Sequence, residues 1–384
     1  MDFSHDEADR ELAALARTIL ADHTSPERLA EVAADGDRFD RPLWSALAKA
    51  GVLSAALPES VGGGGLGLLA QCGVLVEVGA TVAPVPYLPS IVAGAAAIAE
   101  FGTAEQRAAW AAPAAAGELV LTAALTEEVG DDPASPATVA TVAERHGASA
   151  SARESASWHL HGTKVVVQVG PVADLFLVPA DTTDGTTVFL VTPADSGVSV
   201  RRQEVVDGDA EAVLDLDHVE LGADRVLGEP GAGRHVVEWL AARLTIGHCA
   251  HQLGVVQAAL RMTAEYAKCR VQFDRPIATF QAVGQRLADC YIDVEAIRLT
   301  LWQAAWRHSE NLASSTEIAT AKYWAAEGGH RVAHAAVHVH GGLGIDVDYP
   351  LHRYFVAAKR NEFSLGGATT HLRRIGAALA AEPA

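Results

Sequence analysis

Apolar and polar positions along the chain fall into three textures. From the N-terminus to about residue 118, Leu12, Leu15, Ala16 and Ile19 recur at the spacing of an amphipathic helix, and the stretch is rich in Ala throughout. Ser4-His5-Asp6-Glu7 reads as a capping box, in which the Ser and Glu side chains satisfy free backbone amides of the first turn. Pro58 and the run Gly62-Gly63-Gly64-Gly65 interrupt the period and predict a loop. A phosphate cradle there would need a preceding strand and a Lys-Ser/Thr ending, and neither is present.

From about residue 119 to 225 the pattern changes to short runs separated by turn residues. Leu160 to Lys164, Asp174 to Val178, Thr187 to Val191 and the largely alternating Leu214 to Leu221 predict strands of a compact β domain. The stretch from Asp132 to Ser157, dominated by Ala, Ser, Thr and Pro, reads as a surface excursion. After the turn-rich Gly228 to Gly233 the helical period returns near 235 to 268, 279 to 309, 314 to 338 and 369 to 381, and the apolar stripes are read as core and subunit packing. The expectation is a mainly α chain with a β domain: an N-terminal helical domain over 1–118, a middle β domain over 119–225 and a C-terminal helical bundle over 226–384. No internal repeat of 20 to 50 residues is visible.

A chain of 384 residues exceeds what one core usually supports, and 49% hydrophobic content is ample for more than one. The apolar stretches, such as Ile91 to Ile98, fall far short of a membrane span. Asp2, Asp6, Glu7, Asp9 and Glu11 stand where a secretory leader would carry positive charge, so cytoplasmic residence is expected. Cys72, Cys249, Cys269 and Cys290 show no C-x-x-C spacing and read as reduced, mostly structural thiols. A net charge of −19 repels nucleic acid and anionic membranes, so neither is an expected partner. Any polyphosphate ligand must be met by local Arg.

The candidate chemistry is concentrated in two segments. Arg270-Val271-Gln272-Phe273-Asp274-Arg275-Pro276-Ile277 is followed by Phe280-Gln281, and His338-Val339-His340-Gly341-Gly342-Leu343-Gly344 comes some sixty residues later. An isolated Arg is usually solvated, but a guanidinium offers a planar fork suited to two phosphate oxygens. Phe273 can pack on an aromatic ligand edge, and Gln281 can hydrogen-bond a polar ligand group. Gly341-Gly342 can end a helix and also admit close backbone approach to a ligand. His330, His334 and His338 share one helix face, yet no acidic or thiol residue completes a metal set there by sequence, and no metal is expected.

R-x-Q-F-x-x-P-I with F-Q after it, the H-V-H-G-G segment and the continuation Asp348-Tyr349-Pro350-Leu351-His352-Arg353-Tyr354 resemble the flavin-binding signature of the acyl-CoA dehydrogenase family. The resemblance spans the whole chain in its helical, β, helical order. It implies an N-terminal helical domain, a middle β-barrel and a C-terminal four-helix bundle, with FAD as cofactor, an acyl-CoA thioester as substrate and an electron-transfer flavoprotein as acceptor. It also implies that Arg270, Gln272, Phe273, Phe280, Gln281, His338 (where the family usually has Gln), Gly341 and Gly342 meet a cofactor across a subunit interface. Thr369 resembles the family Thr that contacts a flavin.

Other family elements are missing. The family removes the α-proton with a Glu from one of two positions. Here a gapless reading puts Gly367 at one, and Ala242 or Leu244 at the other. Glu362 is an outside candidate for a displaced base, and no catalytic residue is assigned. Thr126-Glu127 begins the family's T-E-P-G-A-G-S-D loop, but Glu128-Val129-Gly130-Asp131-Asp132 follows. Gly162-Thr163-Lys164 matches G-x-K, yet the expected Trp and Thr are Val166 and Gln168. What is kept serves a neighbour's cofactor and what is lost serves the chain's own. The resemblance therefore implies the noncatalytic-type subunit of an α2β2 assembly with a Glu-bearing homologous subunit, of a kind that often takes steroid side-chain CoA thioesters. The alternatives are a homotetramer with a displaced base, or a structural protein on this fold.

Overall fold

The computed structural model describes residues 6–130, 132–142 and 157–381. By backbone contacts the chain forms two compact units, one from Met1–Glu31, Leu66–Pro84 and Thr245–Ala384, the other from Val32–Gly65 and Val85–Leu244. The chain begins with α1 (Glu7–His23), α2 (Pro26–Ala34), α3 (Arg41–Lys49) and α4 (Gly67–Thr81). Ser4 of the expected capping box lies outside the described residues, and Asp6 at the N-cap makes no side-chain cap bond.

In the second unit, a buried π-helical stretch (Tyr87–Ala95) and the short helices α5 (Ala96–Phe101), α6 (Ala104–Gln106) and α7 (Ala112–Ala115) lead into the sheet. Thr103 and Gln106 form a reciprocal capping box at α6. The strands are β1 (Leu121–Ala123), β2 (Val139–Val142), β3 (Ser157–Gln168), β4 (Leu175–Thr182), β5 (Gly185–Val191), β6 (Val198–Gln203), β7 (Glu211–Gly222) and β8 (Val226–Leu227). Their order is β6-β7-β3-β2-β4-β5-β8, with β1 parallel to β4. β4 is buried from Leu175 to Ala180 and reads as a continuous apolar run, whereas edge strand β6 carries Arg201 and Arg202 outward. Trp158, Leu160, Phe176, Phe189, Leu216 and Val219 are among the residues of the core beneath, with Trp158 edge-on to Phe189 at 5.5 Å.

The stretch after Asp132 is not only a surface excursion. It contains β2, and Ala134, Thr138 and Ala140 are buried. Thr138 tolerates burial because the Glu127 carboxylate accepts from both its amide and its hydroxyl, at 2.9 and 2.6 Å. Residues 143–156 of that stretch lie outside the described residues. The Gly62–Gly65 run is packed against its own neighbourhood: a Cβ at Gly63 would sit 1.9 Å from the Leu57 carbonyl oxygen. That fit is a reason for glycine unrelated to phosphate.

Helix α8 (Gly233–Cys269) contributes Thr245 onward to the first unit. A two-stranded hairpin, β9 (Val271–Gln272) and β10 (Arg275–Pro276), follows, then α9 (Gln281–Ser309), α10 (Ser315–His340), α11 (Leu351–Phe363) and α12 (Ala368–Ala381). α11 was not among the predicted helices; its core-facing positions are filled mostly by Ala357, Ala358 and Asn361, which carry little apolar signal. In this unit α4 and α8 approach at backbone distance. A Cβ on Gly79 would meet the His251 carbonyl oxygen at 2.1 Å, and one on Gly254 would meet that of Val76 at 1.9 Å. α1 is fixed to α4 by the Arg17 guanidinium, which bonds both Glu77 oxygens at 2.7 and 3.0 Å. Among the described residues no helix is long and apolar enough to cross a membrane.

Candidate flavin site and the missing base

The hairpin turn after α8 has Phe273 and Asp274 both at positive φ (52° and 61°). Two left-handed residues in a two-residue turn match the twist of a tight hairpin, though Phe is a costly choice there. The cost goes with display: Phe273 is 88% exposed. Phe280 stands edge-on to it at 6.1 Å and lies under the Arg275 guanidinium at 4.3 Å. Arg270 and Gln281 are exposed, and among the described residues the Arg270 guanidinium has no hydrogen-bond or ion-pair partner. Among the described residues Gln272 Nε2 bonds the adjacent Val271 carbonyl.

The second segment lies alongside. His340, at the end of α10, stacks on Tyr266 at 4.2 Å, and Tyr266 accepts the Arg270 amide at 2.8 Å. The root of the hairpin is thereby tied to the Gly341-Gly342 turn. Gly341 has φ 65°, and a Cβ on either glycine would meet nothing within 4 Å, so open space stands over this backbone. Exposed His338 lines a groove of about 690 Å³ with Arg286, Asp289, Asp293, Arg331 and His334. Thr369 is exposed on the first turn of α12. Sequence reasoning did not single out Tyr266 or His340 for this contact. The only cue was that His340 falls inside the H-V-H-G-G segment and Tyr266 about one helical turn before Arg270.

Gly367, which the sequence resemblance puts at the family's base position, precedes α12, and a Cβ there would make only ordinary contacts, 3.7 Å to Phe363. Space therefore does not exclude a side chain. The segment around it is held from beneath. The Lys322 ammonium, fully buried, donates to the carbonyls of Asn361 at 2.7 Å and Glu362 at 3.1 Å. Burial pulls its pKa down to about 8, opposed by nearby Cys249 and Glu362. Asn361 donates to Gln252 Oε1 at 3.0 Å and lies 2.8 Å from His251 Nδ1. His371 lies 3.1 Å from the Leu365 carbonyl through Nε2, and burial lowers its pKa to about 4. Glu362 is engaged: its oxygens lie 3.1 and 3.2 Å from His330 Nδ1, and Lys359 Nζ is 2.6 Å from one of them. Sequence spacing concealed this carboxylate from the His330 face, since it comes from another helix.

In the second unit Leu244 is buried on α8 and Ala242 half-buried, and neither can take a proton. Glu127 and Lys164, each a fragment of a family motif, form a buried ion pair at 2.6 Å. Burial opposes the charge on Glu127, but bonds from Lys164, Thr138 and Ala137 outweigh it and hold the carboxyl below its usual range. Val166 sits at positive φ in a bulge of β3 and is 41% exposed. This is a strained place for a β-branched residue.

Residues 6–118 match the acyl-CoA dehydrogenase N-terminal domain and residues 231–380 the C-terminal domain. The chain belongs to the acyl-CoA dehydrogenase family. Acyl-CoA dehydrogenase FadE27 of Mycobacterium tuberculosis is 48% identical over 392 residues, covering all of both chains. A chain of the M. tuberculosis ChsE4-ChsE5 complex superposes with a TM-score of 0.92 at 48% identity, again over all of both chains. A variant of the Tcur3481-Tcur3483 steroid ACAD superposes at 0.88 with 43% identity over 98% of each chain. The helical domains around a middle β-sheet are those of the family, whose members are FAD-dependent oxidoreductases acting on acyl-CoA. In this acyl-CoA dehydrogenase the unpartnered Arg270 and the open Gly341-Gly342 backbone fit an anionic, extended group such as the FAD pyrophosphate. FAD, when bound, supplies the hydride acceptor. The chain's own residues would hold phosphate through Arg270, pack an aromatic edge through Phe273 and Phe280, and donate from Gln281 and His338.

Proposed function

We propose that this chain is the base-lacking subunit of a heteromeric acyl-CoA dehydrogenase, and that it completes the FAD site of a homologous Glu-bearing partner. The observation that carries the reading is the contrast at two positions. Among the described residues the Arg270 guanidinium has no hydrogen-bond or ion-pair partner, while the resemblance puts Gly367 at one of the family's base positions and Ala242 or Leu244 at the other. The family reaction takes the α-proton from the thioester while the β-hydrogen leaves as hydride, so a chain without a proton acceptor depends on one supplied elsewhere. Glu362 is a poor substitute because Lys359 and His330 already engage both its oxygens. The likeness to a chain of the ChsE4-ChsE5 complex and to a steroid ACAD supports a heteromeric assembly acting on a steroid CoA thioester; an electron-transfer flavoprotein as acceptor is what the family resemblance implies.

The test is the flavin-to-chain ratio, by visible absorbance, of the protein purified alone and after coexpression with a Glu-bearing homologue. Almost no flavin alone and one flavin per two chains together is the expected result. One flavin per chain in the isolated protein would overturn the half-site reading in favour of a homomeric enzyme. No flavin in either preparation would leave a structural role only.

A further inference from the structure

The outward face of the β3–β7 pair gathers ligands that no flavin chemistry uses. Strands β3 and β7 pair antiparallel, with Leu160 opposite Val219 and Gly162 opposite Leu216. Between those pairs one residue, His161, faces two, Asp217 and His218. The extra residue on β7 is a bulge, with His218 at φ 53°. The bulge interrupts strict alternation. Trp158, Leu160, Leu216 and Val219 remain in the core, and His161, Asp217 and His218 are all exposed on the other side.

His161 Nδ1 is 3.6 Å and His218 Nε2 3.8 Å from the same Asp217 oxygen, and the three ligand atoms lie within 4.8 Å of one another. Both distances are too long for hydrogen bonds. They are close to a different spacing: ligand atoms each about 2.0–2.2 Å from a tetrahedral zinc are roughly 3.3–3.6 Å apart. Plain ion pairs among groups this exposed would contribute little. Beside them, His159 pairs across the strands with Glu220, and its Nδ1 has no hydrogen-bond partner among the described residues. These two residues, with Thr141, Ser196 and His218, line a depression of about 370 Å³, room for the water that would complete the coordination.

We propose that His161, Asp217 and His218 form a site for a divalent transition-metal ion of the zinc class. Two neutral imidazoles and one carboxylate suit that class, and water takes the fourth position. The ion would pin β3 to β7 across the bulge, binding the folded sheet and not the unfolded chain, and so raise the unfolding temperature. The site does not depend on the flavin reading.

The experiment titrates the full chain, free of any polyhistidine tag, with zinc chloride against a chromophoric zinc indicator, and repeats the titration with cobalt(II) to read its visible d–d absorption. One zinc per chain, an intense cobalt band and a zinc-dependent rise in unfolding temperature are expected. His161→Ala, Asp217→Asn and His218→Ala should each weaken binding by more than about tenfold and abolish the rise. The double variant His334→Ala/His338→Ala, on the other imidazole-bearing face, should change neither. Because the three ligands are exposed, metal-free unfolding of the single variants should match that of the parent chain, which separates lost ligation from lost folding. Binding unchanged in the His161 and His218 variants, binding lost in the α10 double variant, or zinc retained only at millimolar concentration would each overturn the proposal.

Discussion

The Arg270–Gln281 hairpin and the Asn361–His371 segment belong to the same helical unit and are built in opposite ways. Among the described residues the Arg270 and Gln281 side chains have no hydrogen-bond or ion-pair partner, and a phenylalanine is held at positive φ with 88% of its surface exposed. The other segment is fastened from within by Lys322, Gln252 and His371, yet at Gly367 it displays no side chain at all. The outward side chains are those that the proposed reading gives to a partner's cofactor. A rigid loop without a reacting group keeps the scaffold of a site and not its chemistry.

The contrast can be broken most forcibly at Glu127, a motif residue expected to act structurally. Glu127→Ala leaves the fully buried Lys164 ammonium without its counter-ion, and should lower the unfolding free energy by about 3 to 5 kcal/mol. Denaturant unfolding of the variant checks this. A loss below about 1 kcal/mol would mean the pair is not structural.

A pH window should mark the fastened segment next. His371 has its pKa lowered by burial from 6.5 to about 4, with Lys322 and Arg374 adding to the effect. Below pH 6.5 the unfolded chain takes up a proton that the folded chain declines until about pH 4. Stability is therefore fully present above pH 6.5 and falls on acidification through that window, by at most about 3 kcal/mol. Unfolding midpoints of the parent chain and of His371→Gln from pH 7 to 4 isolate the residue. The variant should lose that part of the slope, and parallel curves would reject it.

Much of this architecture was legible in the sequence. The strand runs at 160, 187 and 214 fall within β3, β5 and β7, the run at 174 starts one residue before β4, and four of the predicted helical stretches are α8, α9, α10 and α12, because apolar periodicity tracks burial directly. α11 escaped because alanine fills a close-packed face without a strong apolar pattern. The motif residues were equally legible as letters, but their partners were not. Lys322 under Asn361, His330 beside Glu362, and Glu127 on Lys164 all join residues far apart in sequence. A basic residue at 322 on a helix gives no sign that it is buried. The His161–Asp217–His218 cluster likewise depends on strand pairing and a bulge.

Lys322→Met tests the fastening itself at a smaller scale. The thioether keeps the apolar volume but leaves the Asn361 and Glu362 carbonyls without their donor, for about 2 kcal/mol of destabilisation, partly offset because a buried ammonium is no longer required. Calorimetric unfolding gives the number. An unchanged or higher midpoint would show that the carbonyls are satisfied in another way and that the segment does not need this lysine.

The smallest stability effect belongs to the residue most exposed to functional interpretation. Arg270→Ala removes a guanidinium with no partner among the described residues, so the unfolding free energy should move by no more than about 0.5 kcal/mol. If the same side chain holds a partner's cofactor, the change should appear only in the assembled enzyme. Flavin affinity of the coexpressed complex should then fall by about one to two powers of ten, the worth of charge-assisted bonds to phosphate. Arg270→Lys should recover little of it, because a point charge cannot reproduce the planar fork. A variant that loses stability and keeps its flavin would reverse the contrast, placing Arg270 among the residues that hold the fold and leaving the outward hairpin without a purpose in flavin binding.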